Sequence, residues 1–181
     1  MNIKILKWKI KNFPNILRGA FALFAKQQQL APVIIGKVYA KKINVSGGMT
    51  DYGLISTRVI TNLFAAYVVD SFQDSGSFPL SDFRWHDSGI GTENESTADT
   101  ELGEPAGLAR VLGTQTEGAA ANIYRSVATV TYDDTYAITE HGLFNAEELG
   151  LLLDRSKFAA INVENNDSIQ FTYELTVSAG G

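Results

Sequence analysis

Ile169-Gln170-Phe171-Thr172-Tyr173-Glu174-Leu175-Thr176-Val177-Ser178 is the stretch that decides the fold of this chain. Apolar and polar residues alternate strictly along it. A two-residue period sends successive side chains to opposite faces of a strand, so one face lies on a core and the other meets water or an interface. At about 3.3 Å per residue the strand runs roughly 33 Å, which is long for a strand.

Working upstream, the same grammar recurs. Glu164-Asn165-Asn166-Asp167 is a turn, and Leu151 to Val163 reads as two short strand pieces. Asp133-Asp134 reads as a hairpin-type turn into a strand over 135–144. Residues 108–116 and 121–132 form two strands around Glu117-Gly118, with Tyr124, Ser126, Ala128, Val130 and Tyr132 on one face. Phe83-Arg84-Trp85-His86 is a short strand closed by Asp87-Ser88-Gly89. Residues 33–45 read as a strand or a bent pair, followed by a turn at Ser46-Gly47-Gly48. Several antiparallel strands separated by short turns predict a mainly β fold, an antiparallel β-sandwich or a β-barrel, jelly-roll-like. One helix interrupts it near 57–73, where Val59, Ile60, Leu63, Phe64, Tyr67 and Val68 recur at three- and four-residue spacing. Ser56 or Thr57 would cap it, and Asp74-Ser75-Gly76-Ser77 would end it.

The N-terminus follows a different rule. Residues 1–50 carry Lys4, Lys7, Lys9, Lys11, Arg18, Lys26, Lys37, Lys41 and Lys42 and no acid, a charge of +9, whereas residues 51–181 carry −14. Such segregation marks a basic interaction segment. We read 1–33 as an extended basic arm and 34–181 as a β-rich body. Within the arm, Leu6, Trp8 and Ile10 alternate with lysines as in a strand, while Ile3, Leu6, Ile10 and Phe13 fit a helix; periodicity does not decide between them. Pro14 is expected to break the pattern. A short helix then follows from Asn15 to Gln29, with Leu17, Phe21 and Phe24 on one side and an exit at Gln27-Gln28-Gln29 and Pro32.

The bulk numbers narrow the classes. A chain of 181 residues suits one domain plus an extension. The absence of cysteine excludes disulfides, zinc–thiolate sites and thiol catalysis. No apolar run reaches the length of a membrane span. The apolar stretch Gly19 to Ala25 abuts Arg18 and is too short and too late for a signal-peptide core.

Chemistry is sparse. His86 and His141 each have an adjacent acid, Asp87 and Glu140; were their strands neighbours, these four groups could bind a divalent metal, and otherwise the imidazoles make loop or strand-end hydrogen bonds. Neighbours on a strand face opposite ways, however, so neither pair chelates by itself. Ser88 lies two residues from His86, but no Gly-x-Ser-x-Gly elbow occurs. Gly89-Ile90-Gly91-Thr92 lacks the Lys-Ser/Thr of a phosphate loop. The loop 87–104 holds Asp87, Glu93, Glu95, Asp99, Glu101 and Glu104 without calcium-loop spacing, and reads as a solvated surface loop. No catalytic, cofactor or metal residue is assigned. The basic arm is the candidate site, with Lys4, Lys7, Trp8, Lys9, Lys11, Phe13, Arg18 and Phe21 as partner-binding residues. Docking on an acidic protein surface fits it best. Nucleic acid is opposed by the acidic body, and no membrane is expected.

Specific stretches carry a resemblance. They are Ser56-Thr-Arg-Val-Ile-Thr61, Trp85-His-Asp-Ser-Gly-Ile-Gly-Thr92, Ala120-Ala-Asn-Ile-Tyr-Arg-Ser-Val-Ala-Thr129, Ile138-Thr-Glu-His-Gly-Leu-Phe144, Leu152-Leu-Asp-Arg-Ser156, Phe158-Ala-Ala-Ile-Asn162 and Asp167-Ser-Ile-Gln-Phe-Thr-Tyr173. In this order and spacing, the region from about 35 to 181 resembles small virion proteins encoded near the capsid genes of tailed phages. The resemblance implies a capsid decoration (cement) protein on the capsid exterior, or alternatively a head-fibre, tail or adhesin component that binds host glycans. It implies the major capsid protein as partner and self-association, a trimer being favoured. It assigns no catalytic residue and no cofactor.

Overall fold

The computed structural model describes residues 3–26, 33–72 and 79–178. Its frame is two antiparallel sheets packed face to face, and among the described residues no ladder closes them into a barrel. The decisive stretch becomes β9 (Ser168–Ser178), the central strand of the five-stranded sheet. It pairs with β1 (Val33–Ile43) on one side and β6 (Ile123–Thr131) on the other. β2 (Met49–Val59) and β5 (Thr114–Glu117) form the edges of this sheet. Ile169, Phe171 and Tyr173 are fully buried, while Gln170, Thr172 and Glu174 are half-buried on the other face.

The second sheet has four strands, in the order β4 (Val111–Leu112), β3 (Trp85–Gly89), β7 (Tyr136–Phe144), β8 (Leu152–Val163). Its inner face supplies Ile138, Leu143, Leu153, Phe158 and Ile161 to the core, opposite Val38, Val130, Ile169 and Phe171. Asp133-Asp134 does not make a hairpin. It carries the chain from β6 in one sheet to β7 in the other, and the turn at 164–167 carries it back from β8 to β9. The two crossings are tied together: the Tyr132 N–H donates to the Asp167 carbonyl, and the Asn166 N–H to the Tyr132 carbonyl. Leu151 to Val163 is not two pieces but one strand, its register against β7 shifted at two points.

The helix α2 spans Asn62–Phe72. Its expected start at 57 was five residues early, because Thr57 to Val59 complete β2 against β1. Thr61 is the cap, rather than Ser56 or Thr57. Its hydroxyl accepts from the Phe64 N–H at 3.2 Å and donates to the Leu152 carbonyl at 2.7 Å. One side chain thus starts the helix and fixes it to β8. The expected terminator, 74–77, lies outside the described residues, as do 27–29 and Pro32.

The arm is not extended. Residues Ile3–Lys26 form one helix, α1, with Pro14 inside it. A proline removes one backbone hydrogen bond and crowds the preceding turn. Here the turns before it are held from outside, by contacts of Trp8 and Asn12 with β2 and β8, and tertiary anchoring overrides the local penalty.

Candidate functional site

α1 lies across the open side of the sandwich, where edge strand β2 of one sheet runs beside edge strand β8 of the other. Asn12 is completely buried there. Its Nδ2 donates to the Ile55 carbonyl of β2 at 2.6 Å, and its Oδ1 accepts from the Ala159 N–H of β8 at 2.7 Å. A single side chain therefore satisfies one backbone group on each sheet edge, groups that would otherwise be left unpaired. One turn earlier, the Trp8 Nε1–H points at the carbonyls of Ala159 and Ala160, 3.0 Å from each. Its ring meets Tyr52 edge-on at 4.7 Å. Trp8, expected to face a partner, is thus occupied within the chain.

The opposite face of α1 is uncovered. Ile3, Ile10 and Phe13 are 67%, 67% and 56% exposed, and Leu6 is 39% exposed. Lys7, Lys9 and Lys11 are exposed around them, and Lys4 is exposed beside them. The first turn carries no acid. The helical alternative, with Ile3, Leu6, Ile10 and Phe13 on one side, is the one the chain adopts. The side chains of Arg18 and Phe21 lie outside the described ones. Apolar residues grouped in this way on a surface mark an interaction site more often than scattered ones do.

The histidines sit elsewhere, between the sheets. His86 Nδ1 lies 2.9 Å from His141 Nε2, and His86 Nε2 lies 2.8 Å from the Ser126 hydroxyl. All three residues are fully buried. Burial pushes His86 down to about 3, and burial plus the neighbouring His86 holds His141 well below its ordinary value, so both rings are neutral. One ring donates and the other accepts across the short contact. His141 Nδ1 has no partner among the described residues. Ser126 and His86 have the spacing of a nucleophile and its base, but the next group along is a second imidazole, not a carboxylate. No substrate reaches Ser126 unless the sheets separate. Asp87 and Glu140 point away from the imidazoles to the outer face of the four-stranded sheet, so the four groups do not converge on a metal. Among the described residues, no three metal-ligating side chains group together.

That outer face is where the acidic loop settles. Residues 90–110 fold over it and bury Leu102 against Phe144 and Leu152. Glu140, fully buried, is the peg. Its Oε1 accepts from the Gly91 and Glu104 N–H groups at 3.1 and 2.8 Å, and its Oε2 from the Gly103 N–H and Arg155 Nε at 3.1 and 2.7 Å. A Cβ on residue 91 would stand 2.5 Å from Glu140 Oε1, which explains the glycine there. Arg155 also holds Asp99, Arg58 pairs with Glu95, and Arg110 pairs with Asp87 while covering the Phe144 ring. The loop expected to be solvated is a pinned layer, and three of its six acids are neutralised by the chain's own arginines.

Asp154 faces the interior, where Ser156 donates to it at 2.6 Å and burial raises its pKa to about 6. Its neighbour across the core, Gly36, leaves no room for a Cβ, which would lie 2.4 Å from the Asp154 carboxylate. An apolar cavity of about 900 Å³ opens between α2 and the end of the five-stranded sheet, lined by Phe64, Val68, Phe72, Phe83, Leu175 and Val177 among others.

Comparison with known proteins gives no match to a family model, a curated protein or a solved structure.

The lysines and the apolar residues of α1 were legible in the sequence; Asn12 and Arg155 were not, and Glu140 stood out only as the neighbour of His141. Asn12 had a signal: it is the polar member of the helical face shared by Ile5 and Trp8. The roles of Glu140 and Arg155 had none, since they come from a loop whose contacts lie 36 to 62 residues upstream.

Proposed function

We propose that this protein is a non-catalytic capsid decoration protein, attached to the outer surface of an assembled phage capsid through α1. The observation that carries this reading is the division of labour on α1. Asn12 and Trp8 fix one face to both sheets, while the opposite face offers Ile3, Leu6, Ile10 and Phe13 amid lysines. A helix held rigidly on a stable body, with apolar residues outward, loses little freedom on docking. The resemblance of residues 35–181 to small tailed-phage virion proteins supplies the identity of the surface. A component that binds only the assembled shell stabilises that shell by mass action. The major capsid protein is then the partner, the virion exterior the location, and a trimer around a symmetry axis the expected arrangement of copies.

The buried position of His86, His141 and Ser126 supports a scaffold over a hydrolase. The host-glycan reading draws less support, because Asp87, Glu95 and Asp99 are already paired with arginines. The test is occupancy on purified capsids of the encoding phage. Ile10→Glu with Phe13→Glu should reduce occupancy at least tenfold while the thermal midpoint stays within a few degrees. Full occupancy by this folded variant would overturn the reading.

A further inference from the structure

The outward stripe of α1 has a regular spacing. Ile3, Leu6, Ile10 and Phe13, all exposed, and Leu17, half-buried, follow one another at intervals of three, four, three and four residues. That is the a/d repeat of a two-helix seam. At 100° per residue the five positions fall within about 80° of the helix circumference and run about 21 Å along it. The remaining positions match the structure. In this register Ile5, Trp8 and Asn12 fall on the far side of the helix, and Trp8 and Asn12 are the residues bound to the β2 and β8 edges. Lys7 and Lys9 fall at the two positions flanking the seam, and both are exposed.

Flanking charges select the partner of such a seam. A second copy of α1 would set lysine against lysine along both flanks, with no acid anywhere in the helix. An anionic bilayer suits lysines, but a membrane-lying helix has a broad apolar face. Here the second apolar face is turned into the body, and the body carries −14 over residues 51–181, which an anionic surface repels.

We infer that the stripe seats an amphipathic helix of another protein, with aliphatic residues at its a/d positions and glutamate or aspartate at the flanking ones. This inference rests on the docking role proposed for α1 and adds the form and charge of what docks.

The test uses the full chain and two labelled synthetic three-heptad peptides, both with isoleucine at a and leucine at d. One has glutamate at both flanking positions and the other has lysine. Fluorescence anisotropy at low salt should show the glutamate peptide binding at least tenfold tighter. Lys7→Glu with Lys9→Glu should invert the preference, and Ile10→Glu should abolish binding of both. Equal affinity for the two peptides, or no binding of either, overturns the inference. So does stripe-dependent dimerisation in sedimentation, or stripe-dependent binding to phosphatidylglycerol vesicles without binding of the glutamate peptide. The two proposals fail separately. Loss of capsid occupancy in the α1 variants without peptide binding leaves the docking role and removes the helical partner. Peptide binding with unchanged occupancy does the reverse.

Discussion

The two sheets are built from similar residues and treat their outer faces in opposite ways. In the five-stranded sheet, β9 buries alternate residues and leaves the others half in water. In the four-stranded sheet, β8 is buried at eight of its first ten positions and half-buried at the other two, on both faces, because the loop 90–110 covers the side turned away from the core. One sheet has a surface; the other has a second interior. The second interior is largely polar, organised around Glu140 and Arg155 beside a small apolar cluster of Leu102, Phe144 and Leu152. A sandwich can thus hold a long acidic loop in a fixed conformation at the expense of burying a carboxylate and a guanidinium together.

The contrast is broken most strongly at the peg. Glu140→Ala removes the acceptor for three backbone N–H groups and leaves Arg155 buried with only part of its pairing. Loss of one partner from a buried ion pair typically destabilises by about 3–5 kcal/mol. We expect a loss in that range in urea unfolding, together with faster amide exchange at Gly91, Gly103 and Glu104 than at β9. Unchanged exchange in the loop would show that the apolar contacts of Leu102 suffice to hold it.

The shared interior gives a test of opposite sign. Asp154 is raised from 3.8 to about 6 by burial, so the folded state binds its proton more tightly than the unfolded state does. The penalty for ionising it is complete above pH 6 and is relieved as pH falls toward 3.8. A shift of this size corresponds to roughly 3 kcal/mol. Asp154→Asn keeps an acceptor for Ser156 and carries no charge. It should stabilise the protein by about 2–3 kcal/mol at pH 7 and by nothing near pH 4, as measured by denaturation at both pH values. Destabilisation at pH 7 would mean that the charge is used.

The smallest effect belongs to the open face. Gln170 lies beside Lys41 and Thr129 on the half-wet side of β9. Gln170→Thr should change stability by no more than about 0.5 kcal/mol. A loss comparable to that of Glu140→Ala would mean this face is not the solvated one.

The same contrast explains what could be read from the sequence. β9 was legible because one side of it is wet, and water enforces alternation. β8 was not, because Leu152, Leu153, Asp154 and Arg155 are all buried, and a strand covered on both faces loses its period. The start of α2 was blurred because Val59 and Ile60 fit both the end of a strand and the start of a helix. Asp133-Asp134 carries turn chemistry, but turn residues do not say whether the next strand joins the same sheet. In the candidate site, the exposed stripe on α1 was legible as a pattern. The intrachain contacts of Trp8 were not legible, because the sequence does not say that the helix has a body edge to cover.

Asn12 also sets a schedule. Its two partners lie 43 and 147 residues further along the chain. α1 is made before both partners and therefore cannot take its place until β8 has emerged. Contacts of such separation form late. During synthesis the helix waits with both apolar faces uncovered, including the one later closed by Trp8, and that interval is when the chain is most exposed to capture or aggregation.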